Sequence, residues 1–337
     1  MEKNILVTGG AGYIGSHACL ELINSNYNPI VIDNFSNSHQ EIFKRIEKIT
    51  NKKIIFIEGD LEDTKLLIKI ISKYSCSAVM HFAGSKSVGE SEENPIFYYK
   101  NNVGGFISLL NAMQSVDLKK FIFSSSATVY GKPNSLPITE NHALNPENVY
   151  GKTKLSIENI LKDVYKCDKN WRICILRYFN PVGAHESGEI GEDPKGIPNN
   201  LMPYISQVAV GKRDKLYIYG NDYETIDGTG VRDYIHVIDL AKGHIKALQK
   251  LNNLGLSEIN LGTGKGYSVL QVLNSFSNVS GKNIPYEIKG RRKGDIDCNY
   301  ANPSKAKDLL NWEAKLNLNK MCKDTWRWQK NNPKGYS

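Results

Sequence analysis

The stretch NILVTGGAGYIGSH, residues Asn4 to His17, decides the fold. It starts as a short apolar run typical of a strand, breaks into glycines and continues with a helical pattern. Gly9, Gly12 and Gly15 have the spacing GxxGxxG. The first permits a tight turn, the second lets the backbone approach a pyrophosphate, and the third lets the helix pack on the strand. The turn therefore predicts a dinucleotide site at a helix amino end.

The end of the second predicted strand favours NAD as that dinucleotide. Asp33 follows the apolar run Pro29 to Ile32, and its carboxylate can accept hydrogen bonds from a ribose diol. No arginine follows in DNFSNS, residues 33–38, to bind a 2′-phosphate, so NADP is disfavoured. Asp60 and the run HFAG, residues 81–84, end the third and fourth strands, where adenine and the nicotinamide ribose are expected to pass.

The first half of the chain alternates strand-like and helical segments. Asp63 to Tyr74, for example, repeats apolar residues on one helical face. This alternation predicts a Rossmann-type, doubly wound parallel sheet that binds ligands at the carboxyl ends of its strands. The predicted strands are Ile5 to Val7, Pro29 to Ile32, Ile54 to Ile57, Ala78 to Phe82, Phe121 to Ser124 and Arg172 to Leu176.

The pattern changes after Asn180, where Gly, Pro and Asn cluster from Pro181 to Pro203. Less regular elements follow, and a helix is expected from about Leu318 to Lys330. We predict a NAD-binding domain over residues 1–180 and a smaller α/β substrate-binding domain over residues 181–337. Tyr234 to Leu251 has the pattern of a strand and a helix that return to the first domain.

Composition narrows the functional classes. The 337 residues are 40% apolar and 23% charged, and no apolar run could span a bilayer. The net charge of +8 is not concentrated in a long basic run, which argues against nucleic-acid binding. The positive charge is then explained either by lysines scattered over the surface or by a site for a small anionic ligand. No basic-then-apolar leader precedes the first strand, and the six cysteines lack metal-ligand spacing. We expect a cytoplasmic protein with no metal, membrane or nucleic-acid partner.

The motif YGKTK places Tyr150 and Lys154 on one face of a helix, about 6 Å apart along its axis. A free phenol has a pKa near 10, so only about 0.1% is ionised at neutral pH. An ammonium and an oxidised nicotinamide beside it would favour the phenolate. A drop of about three units, worth about 4 kcal/mol, would make Tyr150 a usable base.

The spacing alone proves little, because Tyr165 and Lys169 share it. Position distinguishes Tyr150: it follows the strand FIFSSS, which delivers Ser126 to the binding edge, where the two hydroxyls can share a substrate oxygen.

These and further motifs resemble the UDP-glucose 4-epimerases of the extended short-chain dehydrogenase/reductase family over essentially the whole chain. They are TGGAGYIGSH, HFAGSKSVGES, YYKNNV, FSSSATVYG, YGKTK, LRYFNPVGAH, GIPNNLMPYI, DGTGVRDYIHV and WRWQ. The resemblance implies that Ser126, Tyr150 and Lys154 are catalytic.

The resemblance also assigns the two binding sites. Beside the three glycines and the catalytic residues, the NAD site is implied to include Tyr13, Ile14, Asp33, Asn34, Phe35, Ser36, Asn37, Ser38, Asp60, Leu61, Phe82, Ala83, Gly84, Ser85, Lys86, Asn101 and Phe179. Beside Ser126 and Tyr150, the UDP-sugar site is implied to include Lys86, Asn180, Asn200, Leu201, Tyr217, Ile218, Tyr219, Arg232, Arg292, Asp295 and Asn299.

The implied reaction is oxidation of the sugar at C4, rotation of the flat 4-keto sugar about its diphosphate link, and return of the same hydride to the other face. Two alternatives differ in the site. A nucleotide-sugar 4,6-dehydratase would need an Asp-Glu pair where this chain has Ala127 and Thr128. A non-catalytic NAD sensor would be expected to lack Tyr150 or Lys154.

Two finer expectations also come from the resemblance. A small residue such as Asn299 at the position that faces the sugar is associated with acceptance of UDP-GlcNAc and UDP-GalNAc, although the neighbouring Tyr300 could fill the space. Members are commonly homodimers through helices that start near Ile96 and near Tyr150, and the apolar run Phe106 to Met113 fits either such a contact or a core face.

Overall fold

The computed structural model describes residues 3–292 and 294–336, so the outer limits 1 and 337 of the two predicted domains lie outside the described residues. The strands are β1 Asn4–Thr8, β2 Asn28–Asp33, β3 Ile55–Glu58, β4 Ala78–His81, β5 Lys120–Ser124, β6 Arg172–Tyr178, β7 Asn180–Val182, β8 Leu216–Tyr219, β9 Val231–His236, β10 Leu256–Leu261, β11 Gly266–Ser268, β12 Tyr286–Lys289 and β13 Cys298–Asn299. The helices are α1 Tyr13–Asn24, α2 Glu41–Thr50, α3 Thr64–Lys73, α4 Val88–Glu93, α5 Pro95–Tyr98, α6 Gly105–Ser115, α7 Val149–Cys167, α8 Leu201–Ala209, α9 Val237–Leu254, α10 Val269–Ser280, α11 Ser304–Leu310 and α12 Leu318–Asn331.

The described residues form a parallel sheet of seven strands in the order β10-β6-β5-β4-β1-β2-β3. Its central strands are buried on both faces, as β1 shows: Ile5 and Val7 join one apolar core, while Leu6 between them joins the other. Helices α1, α2 and α9 contribute to the first core, and α3, α6 and α7 to the second. The predicted doubly wound, Rossmann-type sheet is confirmed.

The six predicted strands are all present, with ends that differ by at most two residues from the apolar runs. The expected helix between Asp63 and Tyr74 is α3, and its start has a clear physical cause. The Asp63 carboxylate accepts a hydrogen bond of 2.9 Å from the Leu66 amide, which caps the helix just before Thr64.

The order of the sheet creates the ligand crevice. Strands β1 and β4 are neighbours at its centre, and the chain leaves them toward opposite edges. In such sheets the crevice lies beyond the carboxyl ends of the two strands. Gly9 follows β1 and has a positive φ of 69°. A Cβ on Gly9 would lie 2.6 Å from the Ala83 amide nitrogen, which follows β4, so only glycine lets these two chain segments meet.

The chain beyond β6 builds smaller sheets. Strand β9 pairs with β7, β11 and β13, and β8 pairs with β12. The segment Tyr234 to Leu251 therefore divides: its strand part stays in a small sheet, and its helix α9 returns to pack on α1 and β6. Strand β10, which the sequence analysis leaves unassigned, adds the edge strand of the large sheet beside β6. The limits of the two domains stay a prediction.

The part of the chain that the structure describes was searched for membrane-spanning helices and for metal-binding groups. None of its helices combines the length and apolar character needed to cross a membrane. Its His, Cys, Asp and Glu side chains form no group of three or more that could hold a metal ion.

Candidate functional site

The glycine turn forms a cradle that fits a dinucleotide. No side chain caps the amino end of α1 at Gly12, so the helix presents its first amides to the crevice. A Cβ built on Gly12 would meet only the Gly9 carbonyl oxygen, at 3.2 Å, and would project otherwise into open space. A Cβ on Gly15 would instead collide with the Gly9 oxygen, as expected for the glycine that packs helix on strand. These observations fit the roles predicted for the three glycines.

The loop after β2 is folded around Asp33. Its carboxylate accepts hydrogen bonds from the amides of Ala11 and Phe35, both at 2.9 Å, and from the Ser38 hydroxyl at 2.8 Å. Asp33 thus fixes the glycine turn and the loop 34–38 relative to each other. The neighbouring Asn34 amide donates to the Asp60 carboxylate at 2.9 Å, which brings the predicted adenine-side residues of two strands together.

The loop after β4 is held by two asparagines from a π-helical turn, Tyr99–Gly104. The Asn102 side chain accepts from the Ser85 amide at 2.8 Å and donates to the Ser85 carbonyl at 3.0 Å. The predicted Asn101 donates to the Ser85 hydroxyl at 3.3 Å. Such wide turns recur at functional sites, and here the turn directs both side chains at Ser85. Asn102 is not among the residues predicted from the sequence, although it lies in the motif YYKNNV.

Helix α7 brings Tyr150 and Lys154 to the same edge. The Asn148 side chain caps it by accepting from the Gly151 amide at 2.8 Å, and the Tyr150 amide donates to the Ser91 hydroxyl at 3.1 Å. The Lys154 ammonium donates to the Ser124 carbonyl at 3.0 Å and lies 5.9 Å from the centre of the Tyr150 ring. Both side chains are buried, as is Ser126, which follows Ser124 in the chain.

Burial dominates the electrostatics of this cluster. It raises the pKa of the Tyr150 phenol well above its usual range, with a further contribution from Tyr178, while the Ser126 hydroxyl acts in the opposite direction. The lowered pKa expected from the sequence, with both Lys154 and an oxidised nicotinamide beside the phenol, stays a prediction. Burial lowers the pKa of Lys154 to about 8 despite the opposing charge of Glu158, so the ammonium still predominates at neutral pH.

A buried polar network lies directly behind Lys154. Glu158, one helical turn after Lys154, is fully buried and receives the Arg177 guanidinium at 2.6 Å and the Ser125 hydroxyl at 2.6 Å. Arg177 also donates to the Tyr130 hydroxyl at 3.1 Å. This network was not predicted from the sequence. The feature of the sequence that could have indicated it is Glu158, a carboxylate four residues after Lys154 on the same helix face.

The predicted nucleotide-gripping residues form a second, more exposed cluster. Asp295 accepts from Arg292 at 2.9 Å and lies 3.9 Å from the Arg232 guanidinium. The Arg292 guanidinium lies 4.8 Å from the centre of the Tyr219 ring. Tyr217, Ile218 and Tyr219 are the last three residues of β8. The Ile218 side chain is buried in the core, so only its backbone is left for a ligand.

The remaining predicted residues lie on elements around the crevice. Asn299 pairs with Arg232 in the register of β13 and β9, and its buried amide oxygen lacks a hydrogen-bond partner among the described residues. Asn200 precedes Leu201 at the start of α8, and its amide donates to Glu192. Asn180 is exposed at the start of β7, next to the buried Phe179.

A family model and curated relatives match this chain over most of its length. The family model described as GDP-mannose 4,6 dehydratase matches residues 6–325. The UDP-glucose 4-epimerase of Bacillus subtilis is 56% identical over 98% of both chains, and that of Homo sapiens is 54% identical over 100% of this chain and 99% of the human one.

Solved structures match the chain as well. The Bifidobacterium longum UDP-glucose 4-epimerase in complex with NAD+ and UDP is 50% identical, with a TM-score of 0.96 over 98% of this chain and 99% of that one. The UDP-Glc/GlcNAc 4-epimerase of Campylobacter jejuni is 36% identical, with a TM-score of 0.85 over 98% of this chain and 99% of that one.

Proposed function

This chain belongs to the UDP-glucose 4-epimerase family, and we propose that Ser126, Tyr150 and Lys154 carry out its reaction, the NAD-dependent interconversion of UDP-glucose and UDP-galactose at C4 through a 4-keto sugar. The observation that supports these three residues is their convergence: α7 and β5 bring a buried phenol, a hydroxyl and an ammonium to the carboxyl edge of the sheet, in the crevice that the glycine turn opens.

The residues of the crevice fit NAD. The open cradle at Gly12 and the uncapped start of α1 suit a pyrophosphate, and the loop that Asp33 organises suits a ribose. When bound, NAD supplies a two-electron acceptor for the sugar and, in its oxidised form, a positive charge. The residues proposed to bind NAD are Gly9, Gly12, Tyr13, Ile14, Gly15, those from Asp33 to Ser38, Asp60, Leu61, those from Phe82 to Lys86, Asn101, Ser126, Tyr150, Lys154 and Phe179.

The proton of the C4 hydroxyl passes to the Tyr150 oxygen. Because burial raises the pKa of the phenol, its ionised form depends on nearby positive charge. Lys154, whose ammonium lies 5.9 Å from the centre of the Tyr150 ring, and an oxidised nicotinamide would together provide it. The Ser126 hydroxyl contacts both the phenol and the Thr128 hydroxyl, at 2.8 Å from the latter, and can hold the substrate oxygen in line with Tyr150. Both side chains are buried, so bulk water has little access to the proton path.

Arg232 and Arg292 are proposed to bind the diphosphate, because their guanidinium groups flank Asp295 in a cluster that is open to solvent. Asp295 is proposed to accept from the uridine ribose. With the nucleotide held by these charges, the sugar needs only weak contacts, which leaves it free to turn.

A dehydratase requires an acid and a base beside Tyr150 to eliminate water. The residues at those positions are Ala127 and Thr128, and the Thr128 hydroxyl is engaged with Ser126. The site therefore favours epimerisation over the reaction that the matched family model is named for.

A substrate labelled with deuterium at C4 tests the proposed function. The purified protein, incubated with C4-deuterated UDP-galactose and no added reductant, is expected to form UDP-glucose that keeps its label. A 4-keto-6-deoxy product would instead indicate a dehydratase, and no turnover would indicate a sensor.

Acceptance of N-acetylated sugars is the second proposed activity. The Asn299 side chain is smaller than a tyrosine and lies beside Arg232, so it is proposed to leave room for the acetamido group of the sugar. Conversion of UDP-GlcNAc to UDP-GalNAc is expected to fall at least about 10-fold in Asn299→Tyr, while UDP-galactose turnover persists. Equal rates in both proteins, or no such activity in the wild type, would contradict this.

We also infer that the protein is a homodimer. Exposed apolar side chains cluster near the predicted contact helices: Ile96 is 84% exposed and Phe97 50%, and Tyr99 and Ile107 are exposed as well. Light scattering should give twice the mass of the chain for the wild type, and Ile96→Glu should shift the equilibrium to the monomer.

We also propose that the protein is cytoplasmic. The thiols of Cys167 and Cys298 are free, in keeping with a reducing compartment, and cell fractionation tests this proposal.

A further inference from the structure

Residues 189–199, which we name the strap, lie between β7 and α8 and contact several segments assigned to NAD. The strap follows Gly183, whose carbonyl accepts from the Tyr13 hydroxyl of the glycine-turn helix at 2.7 Å. None of its residues belongs to the sites predicted from the sequence. Its contacts reach chain segments more than 100 positions away.

The first half of the strap is fixed from behind by the carboxyl-terminal segment. The Gly191 amide donates to the Tyr336 hydroxyl at 2.9 Å, and the Trp328 indole donates to the Glu192 carbonyl at 3.2 Å. The Asp193 carboxylate accepts from the Tyr336 amide at 2.9 Å. Ile190 is fully buried, so this half is a defined element of the structure.

The other side of the strap faces the cofactor loops and contacts two of them. The Lys195 ammonium donates to the carbonyls of Phe35 and Ser36, at 3.0 and 2.8 Å. The Glu192 carboxylate accepts from the Lys86 ammonium at 3.0 Å. These two contacts join the loop after β2 and the loop after β4 through a single short segment.

Glu192 also contacts the substrate side. The same oxygen that receives Lys86 accepts from the Asn200 amide at 3.1 Å, and Asn200 is assigned to the UDP-sugar. The Glu192 side chain is only 9% exposed. One carboxylate is therefore shared between Lys86, which is assigned to both the cofactor and the substrate, and Asn200, which is assigned to the substrate.

We propose that the strap retains NAD in this enzyme, with Glu192 and Lys195 as the residues that fasten it, and that Glu192 couples cofactor retention to UDP-sugar binding. This rests on the proposed NAD site. Release of the cofactor requires the loops after β2 and β4 to separate, and the strap ties them together. A ligand that orders Asn200 also orders Glu192 and hence Lys86, so UDP slows the loss of NAD.

The test measures exchange of bound NAD for radiolabelled NAD in the holoenzyme, so it does not depend on turnover. Lys195→Met and Glu192→Gln are each expected to speed exchange about 10- to 100-fold, because each variant removes the charge from the hydrogen bonds that hold the strap. UDP is expected to slow exchange in the wild type and in Lys195→Met, and to have a smaller effect in Glu192→Gln. Lys282→Met, an exposed lysine after α10, is the matched control and should exchange like the wild type.

Exchange within about twofold of the wild type in both strap variants would overturn the proposal. Lys195 is close to the surface, so Lys195→Met decides the matter even if Glu192→Gln folds poorly. Gly12→Val separates failure of the strap from failure of the proposed NAD site: it should abolish copurified NAD if the site is right. If Gly12→Val retains NAD, the placement of the cofactor is wrong, whatever the strap variants show.

Discussion

The cofactor half and the substrate half of the site place charged side chains in opposite environments. Behind Tyr150, the side chains of Arg177 and Glu158 are 2% and 0% exposed and are joined at 2.6 Å. Around the proposed diphosphate site, the Arg292 side chain is 55% exposed, although it too is paired with a carboxylate, Asp295, at 2.9 Å. The same chemical pair is thus a fixed part of the interior in one region and a solvated contact in the other.

This difference in burial suits the different roles proposed for the catalytic region and the nucleotide-binding region. A buried ion pair has no water to replace its partner, so it fixes the helix that bears Lys154 in one arrangement. An exposed pair costs little to break, so Arg292 and Asp295 can exchange each other for a nucleotide. Rigid catalytic residues and adaptable nucleotide-binding residues suit a reaction in which the sugar rotates while its diphosphate stays bound.

The largest effect is expected for the phenol on the rigid side. Tyr150→Phe removes the proton acceptor while leaving the ring, and should lower kcat for UDP-galactose by about 10³- to 10⁴-fold with little change in Tm. Tyr165→Phe on the same helix, which has the same spacing to a lysine, is the control and should keep full activity. Comparable rates for the two variants would show that Tyr150 is not the base.

The buried ion pair comes next, and its loss should appear as instability. Glu158→Gln leaves Arg177 charged in the interior, which should cost about 3–5 kcal/mol in the free energy of unfolding. Urea denaturation checks this. Asp295→Asn, which breaks the exposed pair, should cost less than about 1 kcal/mol in the same measurement. Equal costs would remove the contrast between the two regions.

Loss of Arg292 should instead affect binding. Arg292→Gln is expected to raise the KM for UDP-galactose about 10- to 100-fold, as for a lost hydrogen bond to a charged group, with kcat and Tm nearly unchanged. Kinetics and thermal unfolding on one preparation check this. A fall in kcat with constant KM would move Arg292 from the nucleotide grip into the catalytic step.

The smallest effect is a pH dependence from Lys154. Burial lowers its pKa to about 8, so the ammonium that supports the Tyr150 phenolate is lost as the pH rises through 8. With a pKa of about 8, the value of kcat should therefore fall about 5-fold between pH 8 and pH 9. In Lys154→Arg the guanidinium stays charged, and this alkaline fall should disappear even if the rate is lower throughout.

The lowered pKa of Lys154 also makes the stability of the folded protein depend on pH. Its folded-state pKa lies below the unfolded value, so the charged form is disfavoured by folding and its destabilising contribution fades as the pH rises through 8 toward 10.5. The alkaline loss of activity should therefore precede any loss of structure, which circular dichroism at pH 9 would show.

Much of the cofactor side follows from the sequence because its residues act locally. Gly9, Gly12 and Gly15 take their roles from a turn of a few residues, and Tyr150 and Lys154 share a face because a helix turns every 3.6 residues. Asp33 can likewise be placed at the end of a strand from alternation alone. Period and spacing are properties of the chain itself, so they also predicted the parallel sheet.

Other features arise only when distant segments meet. Strand β10 joins the large sheet beside β6 across some 80 residues, and nothing local states which sheet it enters. Glu192 contacts Lys86 and Asn200, and Glu158 contacts Arg177, through side-chain geometry that no spacing encodes. The raised pKa of Tyr150 has the same origin, since desolvation depends on how completely the whole fold encloses the phenol.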